Sequence, residues 1–254
     1  MKGIVLAAGR GSRMSVLTEE KPKCLVELAG KPLLFWQLEA LSGAGADDLA
    51  VVCGYRREMI AELREAAPAP FQVLENPRWA ETNMLSTLFC AADWAAGEAC
   101  VVSYSDIVYP AEHVRALMAA PEPIAITYDS RWEELWRLRQ EDPLNDAETF
   151  REEGGRLLEI GDKPKSLEEV RGQYMGLIKI SSDGWRVMAE RRKALGEALN
   201  RTDMTSFLRL LLGAGIPIGA VRVEGGWCEV DSERDLRAYG DALARGGWSH
   251  DWRR

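Results

Sequence analysis

Glycine, arginine and lysine cluster near the start of the chain in a pattern that could hold phosphate: Gly9-Arg10-Gly11-Ser12-Arg13-Met14, then Lys21-Pro22-Lys23. Glycine has no Cβ, so backbone N–H groups at Gly9 and Gly11 can approach an anion closely. Arg13, Lys21 and Lys23 add charge that stays positive at neutral pH. Two better-known glycine loops are excluded. A Walker loop needs Gly-Lys-Ser/Thr, whereas Gly11 is followed by Ser12-Arg13, and a dinucleotide fingerprint needs a third small residue where Met14 stands. Histidine occurs only at His113 and His250, which argues against a His-based zinc site or a Ser-His-Asp triad.

The loop needs a scaffold. Residues 4–8 form an apolar run that reads as a buried strand, and the glycine loop leaves its end. Lys31-Pro32 opens a helix to about residue 42; proline suits a first turn, and Gly43 and Gly45 end the element. Strands are expected at 48–53, 71–74 and 100–103, with helices at 56–66 and 83–94. This alternation predicts an α/β fold with a doubly wound, largely parallel sheet. Ligands of such sheets sit beyond the carboxyl ends of the strands. Asp106 follows strand 100–103, so an acid and the glycine loop share one rim.

Beyond Ile107 the pattern changes. A helix at 111–119 and a strand at 124–128 lead to a charged amphipathic helix at 129–137 and an acidic, turn-rich stretch at 142–149. Strands at 156–161 and 173–180 flank Asp162-Lys163-Pro164-Lys165. Helices at 184–192 and 204–212, a strand at 217–223 and a turn and short strand through Gly225–Asp231 precede a helix capped by Ser232 that runs to about 244. The tail at 246–254 has no readable pattern. With no repeats or linkers, one domain spanning 1–254 is expected, its core at about 1–128 and 173–244 and a substrate-binding insertion at about 129–172.

Composition narrows the partners. A chain of 254 residues can bury a full core. Net charge is -8 and no long Lys/Arg run occurs, so polynucleotide binding is not expected and a small anionic ligand would need a locally basic site. No apolar run approaches the ~18–20 residues of a membrane span, and a strand beginning at the second residue leaves no room for a signal peptide. Five cysteines are scattered without a CxxC pair and read as reduced, in a cytoplasmic protein. Apolar surface around exposed tryptophans would leave room for a homodimer.

LAAGRGSRM followed by KPKCL, GKPLL opening a helix, an aspartate after the fourth strand, and WCEVD before the last helix together resemble the nucleotidyltransferase family. The resemblance implies a Rossmann-like α/β fold, Mg²⁺ dependence, and transfer of NMP from an NTP to a phosphorylated small molecule with release of pyrophosphate. Arg13 and Lys23 match the family's cations for the triphosphate and transition-state charge, and catalysis would be mainly positioning and electrostatic. The acceptor oxygen is already anionic, so no general base is required. Lys21 reads more simply as a solvated neighbour.

Asp106 and Asp231 match the family's metal carboxylates, and Mg²⁺ favours a few carboxylates completed by water and phosphate. Asp231 could instead be a helix N-terminal carboxylate; Glu229 shares its strand face. Leu6, the Ala7-Ala8 backbone, Gly9, Gly11, Ser12, Asn83 and Ser86 are expected to form the nucleotide wall. Asn83 could read a pyrimidine edge or simply cap its helix.

For the acceptor, Glu75-Asn76-Pro77 leading to Thr82-Asn83, and Asp142-Pro143-Leu144-Asn145-Asp146-Ala147-Glu148, are similar to bacterial phosphocholine and aminoalkylphosphonate cytidylyltransferases. Asp142, Asp146 and Glu148 with Tyr128, Trp132 and Trp136 would suit an ammonium head. The tryptophans, four apart, could equally pack a helix against the sheet. Lys163 matches the family lysine that meets the acceptor phosphate. The expectation is therefore a Mg²⁺-dependent cytidylyltransferase using CTP and phosphocholine, 2-aminoethylphosphonate or a related acceptor. A sugar-1-phosphate nucleotidyltransferase or a non-catalytic nucleotide-binding module are the alternatives.

Overall fold

The computed structural model describes residues 1–11, 14 and 17–253. Thirteen strands occur among them: β1 (Lys2–Ala7), β2 (Glu27–Leu28), β3 (Lys31–Pro32), β4 (Asp48–Cys53), β5 (Gln72–Glu75), β6 (Cys100–Tyr104), β7 (Ile107–Val108), β8 (Ile124–Asp129), β9 (Phe150–Glu153), β10 (Arg156–Ile160), β11 (Gln173–Ile180), β12 (Gly219–Val223) and β13 (Cys228–Glu229). The helices are α1 (Leu33–Gly43), α2 (Arg57–Glu62), α3 (Met84–Phe89), α4 (Ala92–Ala95), α5 (Ala111–Met118), α6 (Trp132–Arg139), α7 (Ser182–Leu195), α8 (Met204–Gly213) and α9 (Glu233–Arg245).

Nine strands form one sheet in the order β5-β4-β1-β6-β11-β8-β12-β10-β9. β10 and β11 run against the rest, so the sheet is mostly parallel, as expected. Alternation along β1 builds a core on each face. Val5 and Ala7 join Leu34 and Leu38 of α1 and Val114 of α5, whereas Ile4 and Leu6 join Leu85 of α3 and Phe207 of α8. The segment 129–172 is continuous with this architecture, because β9 and β10 extend the sheet beside β12.

Several elements differ from expectation. The helix read at 83–94 is two pieces, α3 and α4, separated by Cys90 and Ala91. The charged helix begins at Trp132, because Asp129 ends β8 as a wholly buried carboxylate. Its Oδ1 accepts from the Gly225 and Arg131 amides, and its Oδ2 from Trp227 Nε1, with His250 Nε2 2.9 Å away. This hub explains the tail. His250 is tied to Asp129, Trp248 stacks on Tyr239, and Trp252 packs edge-on to Trp36. The expectation of exposed tryptophans is overturned: all nine are buried or half-buried, because their rings fill the core and hold the tail.

Candidate active site

The glycine loop begins where β1 ends. Gly11 has a φ of 75°, and a Cβ there would stand 2.8 Å from Lys23 Cβ, so glycine suits both the backbone and the close approach of the lysine stem. Thr18 Oγ1 donates to the Gly11 carbonyl and fixes the far side of the loop. Ser12 and Arg13 lie outside the described residues.

Lys23 opens a short 3-10 turn after Pro22 and is buried. Its ammonium donates to Asp106 Oδ2 at 2.8 Å and Asp231 Oδ1 at 2.5 Å. Burial works against that charge, but Asp106 and Asp231 outweigh it and hold the pKa above the ordinary lysine value. The two aspartates are 125 positions apart in sequence and are joined by a two-residue ribbon. β7, directly after Asp106, pairs antiparallel with β13, and the Val230 amide donates to the Asp106 carbonyl. Asp231 then leads into α9, where Ser232 and Asp235 form a reciprocal cap and Asp235 Oδ2 also accepts the Asp231 amide.

Asp106, Glu229 and Asp231 each present an oxygen within 4.8 Å of the others. Asp106 Oδ1 is buried without a hydrogen-bond partner among the described residues. An orphaned carboxylate oxygen in an all-oxygen donor set fits a hard divalent cation such as Mg²⁺. Burial, with Asp231 and Asp106 nearby, pushes Glu229 above the usual carboxylate range against the pull of Arg139. Arg139, which sequence reading missed, donates to Glu229 and Asp231 from inside the fold.

A cleft runs from this cluster along the sheet rim. Leu6, Ala8, Gly9 and Gly11 line it with Lys23 and Asp106; Trp79, Thr82, Asn83, Met84 and Thr87 also contribute. Asn83 caps its helix, its Oδ1 accepting from the Met84 amide, and the residue also lines the cleft. Ser86 points to Asn200 instead, and the Ala7 side chain belongs to the core. Trp79 was missed, and Asn76 appeared only within the Glu75-Asn76-Pro77 resemblance. Trp79 packs against Tyr55 and lies so close to Gly54 that a Cβ there would be 2.4 Å away. Buried Asn76 holds the wall loop through Thr82, Thr87 and the Arg78 amide.

The acceptor residues are sorted differently from expectation. Tyr128 is 4% exposed, stacks on Phe150 and donates to Glu152, so it presents no open aromatic face. Trp136, also 4% exposed, packs with Trp132 and Trp227, so the packing reading of both tryptophans prevails. Asp142 caps the turn at 143–145, and the Lys163 ammonium donates to the Leu144 and Asn145 carbonyls of that turn, so both act as braces. Asp146 is exposed. Glu148 is half-buried, and burial together with Asp203 and Asp146 raises its pKa. Tyr104 and Tyr174 meet edge to face at 5.7 Å, and their hydroxyls feel the charges of both Glu148 and Asp106. The pair exists because β11 bulges at Gly176 (φ 88°), where a side chain would strike the Tyr104 ring. A sequence carries little signal for such a bulge beyond the glycine itself.

A family model for the MobA-like NTP transferase domain matches residues 3–175. A CTP:phosphoglutamine cytidylyltransferase of Campylobacter jejuni is 36% identical over 252 residues, covering 93% of this chain and 98% of that protein. A 2-aminoethylphosphonate cytidylyltransferase of Lancefieldella rimae is 36% identical over 111 residues, 44% of this chain and 45% of that one. The solved CTP:phosphocholine cytidylyltransferase of Streptococcus pneumoniae has a TM-score of 0.69 over 95% of this chain and 98% of that chain; at 20% identity the likeness is one of fold. No helix among the described residues is long and apolar enough to cross a membrane. With a family match over most of its length and a relative alike from end to end, this chain is a nucleotidyltransferase and belongs to the MobA-like NTP transferase family.

Proposed function

We propose that the protein is a Mg²⁺-dependent cytidylyltransferase that transfers CMP from CTP to a small phosphorylated or phosphonylated acceptor carrying an amine. One observation carries this reading: the Lys23 ammonium bridges Asp106 and Asp231 beside the cleft lined by Gly9 and Gly11. The glycine-loop amides receive the triphosphate, and Lys23 and Arg13 offset charge on the α-phosphate and the departing pyrophosphate. An acceptor oxygen forms a bond to the α-phosphorus while the bond to the β-phosphate oxygen breaks. That oxygen is anionic at neutral pH, so the step needs no base and rests on alignment. Asp106, Asp231 and Glu229 would hold the ion, which supplies positive charge to phosphate oxygens when bound.

We read the segment 129–172, with Glu148 at its inner edge, as the acceptor side. Tyr104 and Tyr174 take the place first given to Tyr128 and Trp136, and Glu148 with Asp203 favours a cationic group. The Campylobacter relative makes phosphoglutamine the first acceptor to test, ahead of 2-aminoethylphosphonate and phosphocholine. Free cysteines and the use of CTP support a cytoplasmic setting for the reaction. A grid of CTP, UTP, dTTP and GTP against these acceptors and glucose 1-phosphate, scored by pyrophosphate release with Mg²⁺, tests the reading. Release is expected with CTP and an amine-bearing acceptor. Turnover confined to the sugar phosphate would sink the acceptor assignment.

A further inference from the structure

α6 ends on Arg139, whose side chain is 1% exposed, a rare place for a guanidinium. Its three nitrogens meet three carboxylates: Nη1 to Glu229 at 3.0 Å, Nη2 to Asp231 at 3.2 Å, and Nε near Asp235 at 3.5 Å. Lys23 grips the other oxygen of Asp231, and Asp235 in turn accepts the Asp231 amide. Asp231 is thus held at both carboxylate oxygens and at its backbone, while Glu229 is held at one oxygen.

We infer that Arg139 is a positioning residue for the metal-binding carboxylates, fixing how Asp231 and Glu229 face the ion. The inference rests on the metal assignment to Asp106, Asp231 and Glu229. A rigid planar fork can address several carboxylates at once and a lysine ammonium cannot reproduce its directions, so charge alone does not account for arginine here. The guanidinium also faces the Trp136 ring at 5.1 Å. Trp136 packs on Trp132 and Trp227, so the fork is seated in rigid surroundings. Arg139 therefore anchors α6, the first helix of the acceptor segment, to the catalytic cluster.

Mn²⁺ binding without nucleotide, titrated by electron paramagnetic resonance, tests this on the parent, Asp106→Asn, Arg139→Lys and Asp235→Asn. Thermal melts run in parallel. The parent should bind and Asp106→Asn should bind weakly. Arg139→Lys keeps the buried charge and should fold, yet bind Mn²⁺ at least about 10-fold more weakly, the scale of lost outer-sphere support. Asp235→Asn retains an oxygen for the Asp231 and Ser232 amides and should show a smaller loss. A merely structural Arg139 would move the melt and leave Mn²⁺ affinity alone. Parental affinity in both folded variants overturns the inference. A parent that binds no Mn²⁺ overturns the metal assignment, and this inference with it.

Discussion

Lys23 is the residue on which the chemistry turns. It carries a buried charge that Asp106, Asp231 and the nearby Glu229 stabilise, and the glycine loop lies over its stem. Lys23→Met should lower kcat by about 100- to 1000-fold, the usual scale for removing one donor aimed at developing charge. Steady-state kinetics should show a smaller change in the KM for CTP. Asp106→Asn should abolish measurable transfer yet leave the circular-dichroism spectrum unchanged, and a variant retaining most of its rate would contradict the metal assignment. Asp106 was legible in the sequence because it follows a strand at the rim where α/β sheets hold ligands, and Asp231 through the family resemblance of WCEVD. Arg139 was not. It lies just past the charged helix read at 129–137 and no motif marks it, and only the fold reveals that it points inward at Glu229 and Asp231.

Among the elements, the long strands were readable, and of the short ones only β13 was anticipated, as the short strand within 225–231. β1, β4 and β6 announce themselves as apolar runs, whereas β7 and β13 are two residues each and carry no period. Yet that ribbon is what joins Asp106 to Glu229 and Asp231. Trp132 and Trp136 show the opposite failure: aromatic residues at helical spacing were visible, but spacing alone does not say whether their face meets a ligand or the core. The loop from Asn76 to Asn83 forms one wall of the cleft, and the Asn76 amide braces it through three hydrogen bonds. Asn76→Ala leaves Thr82 and Thr87 without that partner. It should cost about 1–3 kcal/mol in urea unfolding and raise the KM for CTP. An unchanged KM alongside the stability loss would show that this loop is remote from the nucleotide.

For the whole molecule, the α/β class followed from the strand–helix alternation of the first half. The reversed β11, the edge strands β9 and β10, and the docked tail did not, because they depend on contacts between segments far apart in sequence. Asp129 reads in sequence as the first residue of a charged helix and is in the fold the buried hub for Trp227 and His250. His250→Ala should cost roughly 1–3 kcal/mol by leaving part of that carboxylate unpaired. For a chain this size that corresponds to a fall of about 2–12 °C in melting temperature. His113, beside this hub, adds a pH dependence. Burial lowers its pKa to about 4, outweighing Asp129 and Glu112, and His250 lowers it further. Unfolded histidine binds its proton near pH 6.5. The stability it confers is therefore complete above that pH and lost as pH falls toward 4, by up to about 3 kcal/mol. Urea unfolding at pH 7 and pH 4.5 should show a smaller acid loss for His113→Gln than for the parent. The central claim is the bond that is made, and ³¹P NMR of the parent with CTP, Mg²⁺ and phosphoglutamine observes it directly. Two mutually coupled signals of a new P–O–P linkage should grow with free pyrophosphate, and neither should appear with Asp106→Asn. Formation of CDP and inorganic phosphate, with no new linkage to any amine-bearing acceptor, would contradict the account.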